Sequence, residues 1–272
     1  MAGVATSKYA VQQIFVVDAF DLDDGSLITR FEDLKTSTFS NNGTVVYAQG
    51  GVGNPKIIGF SHSKESSLAI GSAVITDGAL EIQTGENVVT ITSSTSAPFD
   101  EILTVTTADQ VLTTYAATGT TNDEIGFVYI LNNDGTIGTT LEQATSATTG
   151  KFAYATATKT ITFATSGAPV GTRILVIYYP TITDVKQIHN ATNAFAKNVR
   201  LHAKTLFRDT CTGVDYFGVI IYYKAKASEE YSLDISADGE PAVHNITFEA
   251  LKACGQETLW DIYIYDSGSI TE

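Results

Sequence analysis

Apolar and polar positions along the chain follow a β pattern. Short runs either alternate with a period near two or are uniformly apolar and β-branched, and turn residues separate them. Tyr9 to Phe20 (YAVQQIFVVDAF) is such a run and ends in the acidic turn Asp21-Leu22-Asp23-Asp24-Gly25. Ser26 to Phe31 and Val45 to Gln49 continue in the same style, with Asn41-Asn42-Gly43 supplying turn chemistry between them. Gly50-Gly51-Val52-Gly53-Asn54-Pro55 is too rich in glycine and proline to be anything but a loop. Lys56 to Ser61 and Ser67 to Ile70 read as two further strands. Ser72 to Gln83 predicts one short helix, with Ala73, Val74, Leu80 and Ile82 as apolar contacts and Gly85 as its C-cap.

In the last third, Val199 to Arg208 sets Val199, Leu201, Ala203, Thr205 and Phe207 against Arg200, His202, Lys204 and Arg208, which predicts a half-buried strand. Tyr216 to Ala225, Tyr231 to Ile235, Ala242 to Ala250 and Leu259 to Tyr265 complete a set of long strands. Thr183 to Lys197 is polar, and Asn190 and Asn193 favour irregular chain over helix there.

Between these outer segments the style changes. From Glu86 to Pro180 the chain is rich in Thr, Ala and Ser, and it lacks Cys and His. Short strands are expected at Val88 to Thr92, Ile102 to Thr106, Gly126 to Leu131, Lys151 to Ala155, Thr160 to Phe163 and Arg173 to Tyr179. Asn132-Asn133-Asp134-Gly135 and Ala157-Thr158-Lys159 serve as tight connections. Short strands at 8–12-residue spacing are the signature of an immunoglobulin-like sandwich. The expected architecture is therefore all-β with one short helix. A discontinuous β domain, 1–85 with 181–272, carries an inserted Ig-like β domain at 86–180, with Gly85 and Pro180 as hinges.

Charge narrows the function classes. Sixteen Lys and Arg stand against 30 Asp and Glu, a formal net charge of −14 over 272 residues. That balance argues against a groove-binding nucleic-acid module, which gains affinity by placing cations on phosphates. No run of about 18 apolar residues is present to span a membrane as a helix, and the first residues show neither the basic nor the apolar region of a secretory signal. Cys211 and Cys254 are read as reduced thiols packed in a β core.

Candidate chemistry is sparse. His62, His189, His202 and His244 stand singly, without metal-ligand spacing. The acidic run Asp18, Asp21, Asp23 and Asp24 fails the calcium-loop register, because aligning Gly25 with the loop glycine puts Phe20 and Leu22 at ligand positions. Gly50 to Gly53 lacks the Lys-Ser/Thr of a phosphate loop, and Pro55 blocks a helix start. No GxSxG elbow occurs. No residue is expected to be catalytic, cofactor-binding or metal-ligating, and no enzymatic activity is expected.

Two stretches carry a resemblance. Tyr47 to Lys56 (YAQGGVGNPK), followed by Phe60-Ser61-His62-Ser63-Lys64 and Leu68-Ala69-Ile70, resembles the first half of tailed-phage major tail (tail tube) proteins. The run from Phe207-Arg208-Asp209 through Ala225, then Asp238 to Ala242 and Phe248-Glu249-Ala250-Leu251, is similar to their second half. The resemblance implies a β-sandwich subunit with a flanking helix. Six such subunits form a ring whose inner strands close into a barrel, and stacked rings make the phage tail tube through which viral DNA passes. It further implies a virion protein made in the bacterial cytoplasm, with copies of itself and other tail proteins as partners and no membrane insertion.

An acidic chain suits a conduit that must not hold phosphates, and long strands need edges covered by neighbouring subunits. The insert is expected on the outer wall of a non-contractile tail, with host-surface glycans as a further partner of 86–180. Gly50, Gly51, Gly53, Asn54 and Pro55 are the candidate inter-subunit loop, because a long segment from Thr36 to Pro55 with only short strands is unusual unless functional. Alternative readings are a capsid decoration or baseplate component, or a carbohydrate-binding adhesin.

Overall fold

The computed structural model describes residues 8–11, 16–230 and 242–266. Among them the chain forms twenty strands and one helix. In chain order these are β1 (Tyr9–Val11), β2 (Val16–Asp21), β3 (Leu27–Phe31), β4 (Leu34–Gln49), β5 (Lys56–Ser72) and α1 (Asp77–Thr84), then β6 (Val89–Ile91), β7 (Thr95–Ser96), β8 (Phe99–Thr104), β9 (Gln110–Leu112) and β10 (Phe127–Leu131). They continue as β11 (Ile137–Gln143), β12 (Lys151–Ala155), β13 (Thr160–Thr162), β14 (Arg173–Tyr178), β15 (Thr181–Ile182), β16 (Val185–Gln187), β17 (Asn198–Asp209), β18 (Asp215–Ala227), β19 (His244–Ala250) and β20 (Trp260–Tyr265). The expected strand at Tyr231 to Ile235 lies outside the described residues. Two units result, Met1–Val88 with Ile188–Glu272, and Val89–Gln187. Thr181 to Gln187, expected in the outer segment, falls in the second unit because β15 and β16 pair with β7 and β6.

The first unit is a nine-stranded sheet in the order β3-β2-β17-β18-β19-β5-β4, with β1 beside β17 and β20 beside β18. The first and last strands of that order are consecutive in the chain, separated only by Glu32 and Asp33, so the sheet curls into a nearly closed barrel. Period-two patterning decides what points inward. On β17, Val199, Leu201, Ala203 and Thr205 are buried while Arg200, His202 and Lys204 face out. With Val17, Ala19, Phe31, Leu68, Ile70, Ile220, Tyr222, Ile246 and Phe248, the side chains of Val199, Leu201 and Ala203 form one apolar core.

The helix begins later than expected. β5 runs through Ser72, and Thr76 is the N-cap, its side-chain oxygen accepting from the Ala79 N–H at 3.2 Å. Gly85 closes the helix in the left-handed region at φ 77°, with its N–H on the Glu81 carbonyl. The helix buries Ala79 and Ile82, whereas Val74 is exposed. A Cβ at Gly78 would lie 2.6 Å from the Ile28 carbonyl oxygen, so glycine there lets α1 sit close on β3.

The second unit is a seven-stranded sheet in the order β8-β14-β10-β11-β12-β13-β9, antiparallel except for the β11–β12 pair. Val128, Leu141, Ile174 and Val176 from one half meet Phe152, Ile161 and Val111 from the other in an enclosed core. This order, with its parallel β11–β12 pair, is not the ABED and CFG arrangement of an immunoglobulin constant domain. The Asn132 to Gly135 turn forms as its residues require, with Gly135 at φ 83° and its N–H on the Asn132 carbonyl.

Candidate assembly surface

The outstanding feature of the first unit is the β4–β5 hairpin. Its strands pair in register from Leu34↔Ser72 to Gln49↔Lys56, with irregularities at Leu34/Thr36, Asn42/Thr44 and Ala48/Gln49. Asn41-Asn42-Gly43 is thus not a turn. The strand runs through it with a local register shift, because continued pairing with Glu65 and Ser66 satisfies more backbone groups than a break would. For the same reason the two strands expected at Lys56 to Ser61 and Ser67 to Ile70 are one.

The hairpin changes character along its length. Near its base Phe39 packs edge-on against Trp260 and Tyr222 at centroid separations of 5.0 and 6.2 Å, and the Ser66 hydroxyl donates to the Ser40 carbonyl at 2.9 Å. Beyond Asn42 and Glu65 both faces are exposed. Cross-strand partners share a face, so Val46, Phe60, Ala48 and Ile58 form one apolar surface, while Val45 and Tyr47 lie on the other. Val46 is 52% exposed, Phe60 60% and Ile57 69%. Tyr47 carries the Lys56 ammonium 4.0 Å from its ring centroid. From residue 36 to residue 64 the hairpin holds Lys56, Lys64 and His62 and no carboxylate, in a chain of net charge −14.

Gly50, Gly51, Gly53, Asn54 and Pro55 together make the tip. The Gly50 N–H donates to the Pro55 carbonyl at 3.3 Å and the Asn54 N–H to the Gly51 carbonyl at 3.1 Å. Gly51 and Gly53 lie at φ 86° and 87°, which fits glycine, and Asn54 reaches φ 50° with its amide donating to Gln49 Oε1 at 3.2 Å. Val52 projects from the tip fully exposed. The tip and the strand segments beside it, Val45 to Gln49 and Lys56 to Ser61, are legible in the sequence, but not the length of the two strands or their pairing. The two β-rich runs flanking one Gly/Pro loop signal a hairpin, but with both faces exposed no in–out alternation marks how far it extends.

A second exposed surface lies on the outer side of β17, β18 and β20. Phe217 stacks on Tyr265 at 6.2 Å, and Val219 pairs with Tyr263. Beside them the buried Asp18 carboxylate takes Lys204 at 2.6 Å and Arg30 at 3.6 Å. His202 and Arg200 pack on Phe20. Desolvation, with the Arg200 charge second, holds the His202 imidazole below its ordinary pKa.

His62 and His189 are exposed, and His244 is buried with Nε2 2.7 Å from Gln83 Oε1. Among the described residues no three His, Cys, Asp or Glu side chains are placed to hold a metal ion. Both cysteines are exposed, contrary to the core packing expected for them. Cys211 sits in the turn after β17, where Asp209 accepts its N–H, and Cys254 in the turn between β19 and β20. Connections run over the surface, so their small side chains do too.

The YomU/Tube protein family model matches residues 10–262, and the chain belongs to that family. Membership in this phage tail tube family makes it a structural, non-enzymatic protein of the virion tail that assembles with itself and other tail proteins. No curated protein matches the chain.

Proposed function

We propose that six copies close into a ring through the barrel sheet, and that rings stack into the tube through which DNA passes, with the β4–β5 hairpin as the main contact between copies. The observation that carries this reading is a hairpin apolar on both faces in a member of a tube family. A two-stranded ribbon is marginal alone in water, and exposed apolar patches mark interaction sites. Cover on both faces requires insertion between surfaces, which stacked rings provide. Its lack of carboxylates favours an acidic neighbour, and another copy of a −14 chain is one. The net negative charge in turn suits a lumen that guides DNA without neutralising its phosphates.

The inserted unit, which we read as an Ig-like elaboration, is too bulky to share a lumen with duplex DNA and is assigned to the outer wall of a non-contractile tail. Its hydroxyl-rich surface offers partners for host glycans. Electron microscopy of the purified chain tests the reading. Wild-type protein is expected to give rings and tubes, and deletion of Gly50 to Asn54 to abolish tubes. Normal tubes from the deletion variant would overturn the role of the tip, and a strictly monomeric wild type the whole reading.

A further inference from the structure

The inserted unit leaves the first unit after Val88 and returns at Ile188. Its outgoing and returning chains pair antiparallel, Val89↔Gln187 to Ile91↔Val185 and then Thr95↔Ile182 and Ser96↔Thr181. Within the first unit, three ties fix the returning segment to the last turn of α1, which is also where the outgoing chain starts. The Lys197 N–H donates to the Ile82 carbonyl at 2.8 Å, satisfying one of the orphan acceptors of a helix C-terminus. The Lys197 ammonium donates to Glu81 Oε1 at 2.6 Å and to Asn87 Oδ1 at 2.7 Å. The backbone of Phe195 lies so close to Gly85 that a Cβ there would stand 2.1 Å from its carbonyl oxygen. Ala196, between these contacts, is buried in the barrel core.

We infer that the C-terminal turn of α1 is a clasp, with Lys197 as its positioning residue, that holds both ends of the inserted unit together and fixes the start of β17. Asn198, the next residue, opens β17, the strand that pairs with β18, β2 and β1. Without the clasp, fluctuation of a roughly hundred-residue excursion would pull directly on that strand. With it, the entropic cost of closing so long a loop is met locally, and motion in the inserted unit stops at residue 197. Lys197 and Glu81 are each about a quarter exposed, so the ammonium is desolvated enough to hold its partners yet reachable by substitution without opening the core. The inference does not rest on the tube reading.

Hydrogen–deuterium exchange on the full chain tests it. Lys197→Met is expected to speed exchange at 85–91 and 185–197 by at least about tenfold, with β17 residues 201–206, the centre of β18 and the inserted sheet unchanged. Lys197→Arg, which can still bridge a carboxylate and an amide oxygen, is expected to restore protection. Glu81→Gln, which removes one charge and keeps the packing, is expected to give a smaller change at the same peptides. Unchanged exchange at 85–91 and 185–197 in Lys197→Met would overturn the inference. So would acceleration spread evenly over the whole barrel, which would make Lys197 an ordinary contributor to global stability.

Discussion

Nε2 of His244 lies 2.7 Å from Oε1 of Gln83, joining β19 to the last turn of α1 through a contact in which both residues are buried. An amide oxygen is an acceptor, so the imidazole is placed as the donor at Nε2. Burial holds the His244 pKa below its ordinary 6.5. The folded state therefore binds fewer protons than the unfolded state at mildly acid pH. Stability is complete above the unfolded value and falls as pH drops below about 6.5. Thermal unfolding at about pH 7.5 and about pH 5.5 is expected to show the barrel losing stability at the lower pH. His244→Gln, neutral at both, should flatten part of that slope. His202, also held low by desolvation, supplies the same sign and accounts for a remainder.

Two separate apolar cores imply two separable unfolding events. Phe248, fully buried, packs against Phe31 at 6.4 Å in the barrel, while Phe152 is fully buried in the inserted unit. Phe248→Ala is expected to cost about 3–5 kcal/mol in the barrel transition alone, and Phe152→Ala a similar amount in the other. Calorimetry of the two variants checks this. A single transition lowered equally by both would mean that the units unfold as one.

Within the inserted unit Tyr178 holds a polar cluster together. Its hydroxyl donates to Glu101 Oε1 at 2.9 Å and accepts the Tyr115 N–H at 3.1 Å, while Glu101 also takes the Thr114 N–H at 2.9 Å. Burial, reinforced by the Glu101 carboxylate, pushes the phenol up to about 12, so it stays neutral at any physiological pH. Tyr178→Phe leaves the Tyr115 N–H without that acceptor. It is expected to lower stability of the inserted unit by about 1–3 kcal/mol, read from chemical denaturation, with the barrel unaffected.

The legible and illegible parts of this chain separate along physical lines. β17 could be read because one of its faces is buried and the other wet, which prints Val199, Leu201 and Ala203 against Arg200, His202 and Lys204. The end of α1 could be read because Gly85 must be left-handed there. Its start could not, since β5 continues to Ser72 on pairing with His244 and Leu34, partners distant in the chain. The same blindness split β4 and β5 at Asn41 to Gly43 and at Ser61. β9 and β11 in the inserted unit are not legible in the sequence, since each buries a single apolar residue, Val111 and Leu141, and leaves Leu112 and Ile137 exposed. The tip glycines were visible as a loop. What made them the end of a long arm was pairing, which local chemistry does not encode.

The exposed hairpin separates folding from assembly. Val46 and Phe60 pair across the strands on one face, each more than half exposed, so their side chains contribute little to the stability of a single copy. Phe60→Asp paired with Val46→Ser is therefore expected to leave the thermal transition of the monomer within about 0.5 kcal/mol of wild type. In an assembled interface the same pair would bury an unpaired carboxylate in an apolar contact, a cost of several kcal/mol per site. Because each added copy repeats the defect, a modest penalty per contact is enough to suppress tubes. Sedimentation and negative-stain images of the double variant should show folded, unassembled protein. Lys56→Glu, which reverses charge above the Tyr47 ring without altering the apolar face, should weaken assembly less, and mainly at low salt, where surface electrostatics are least screened. Tubes of normal length from the double variant would mean that this face of the hairpin is not where copies meet.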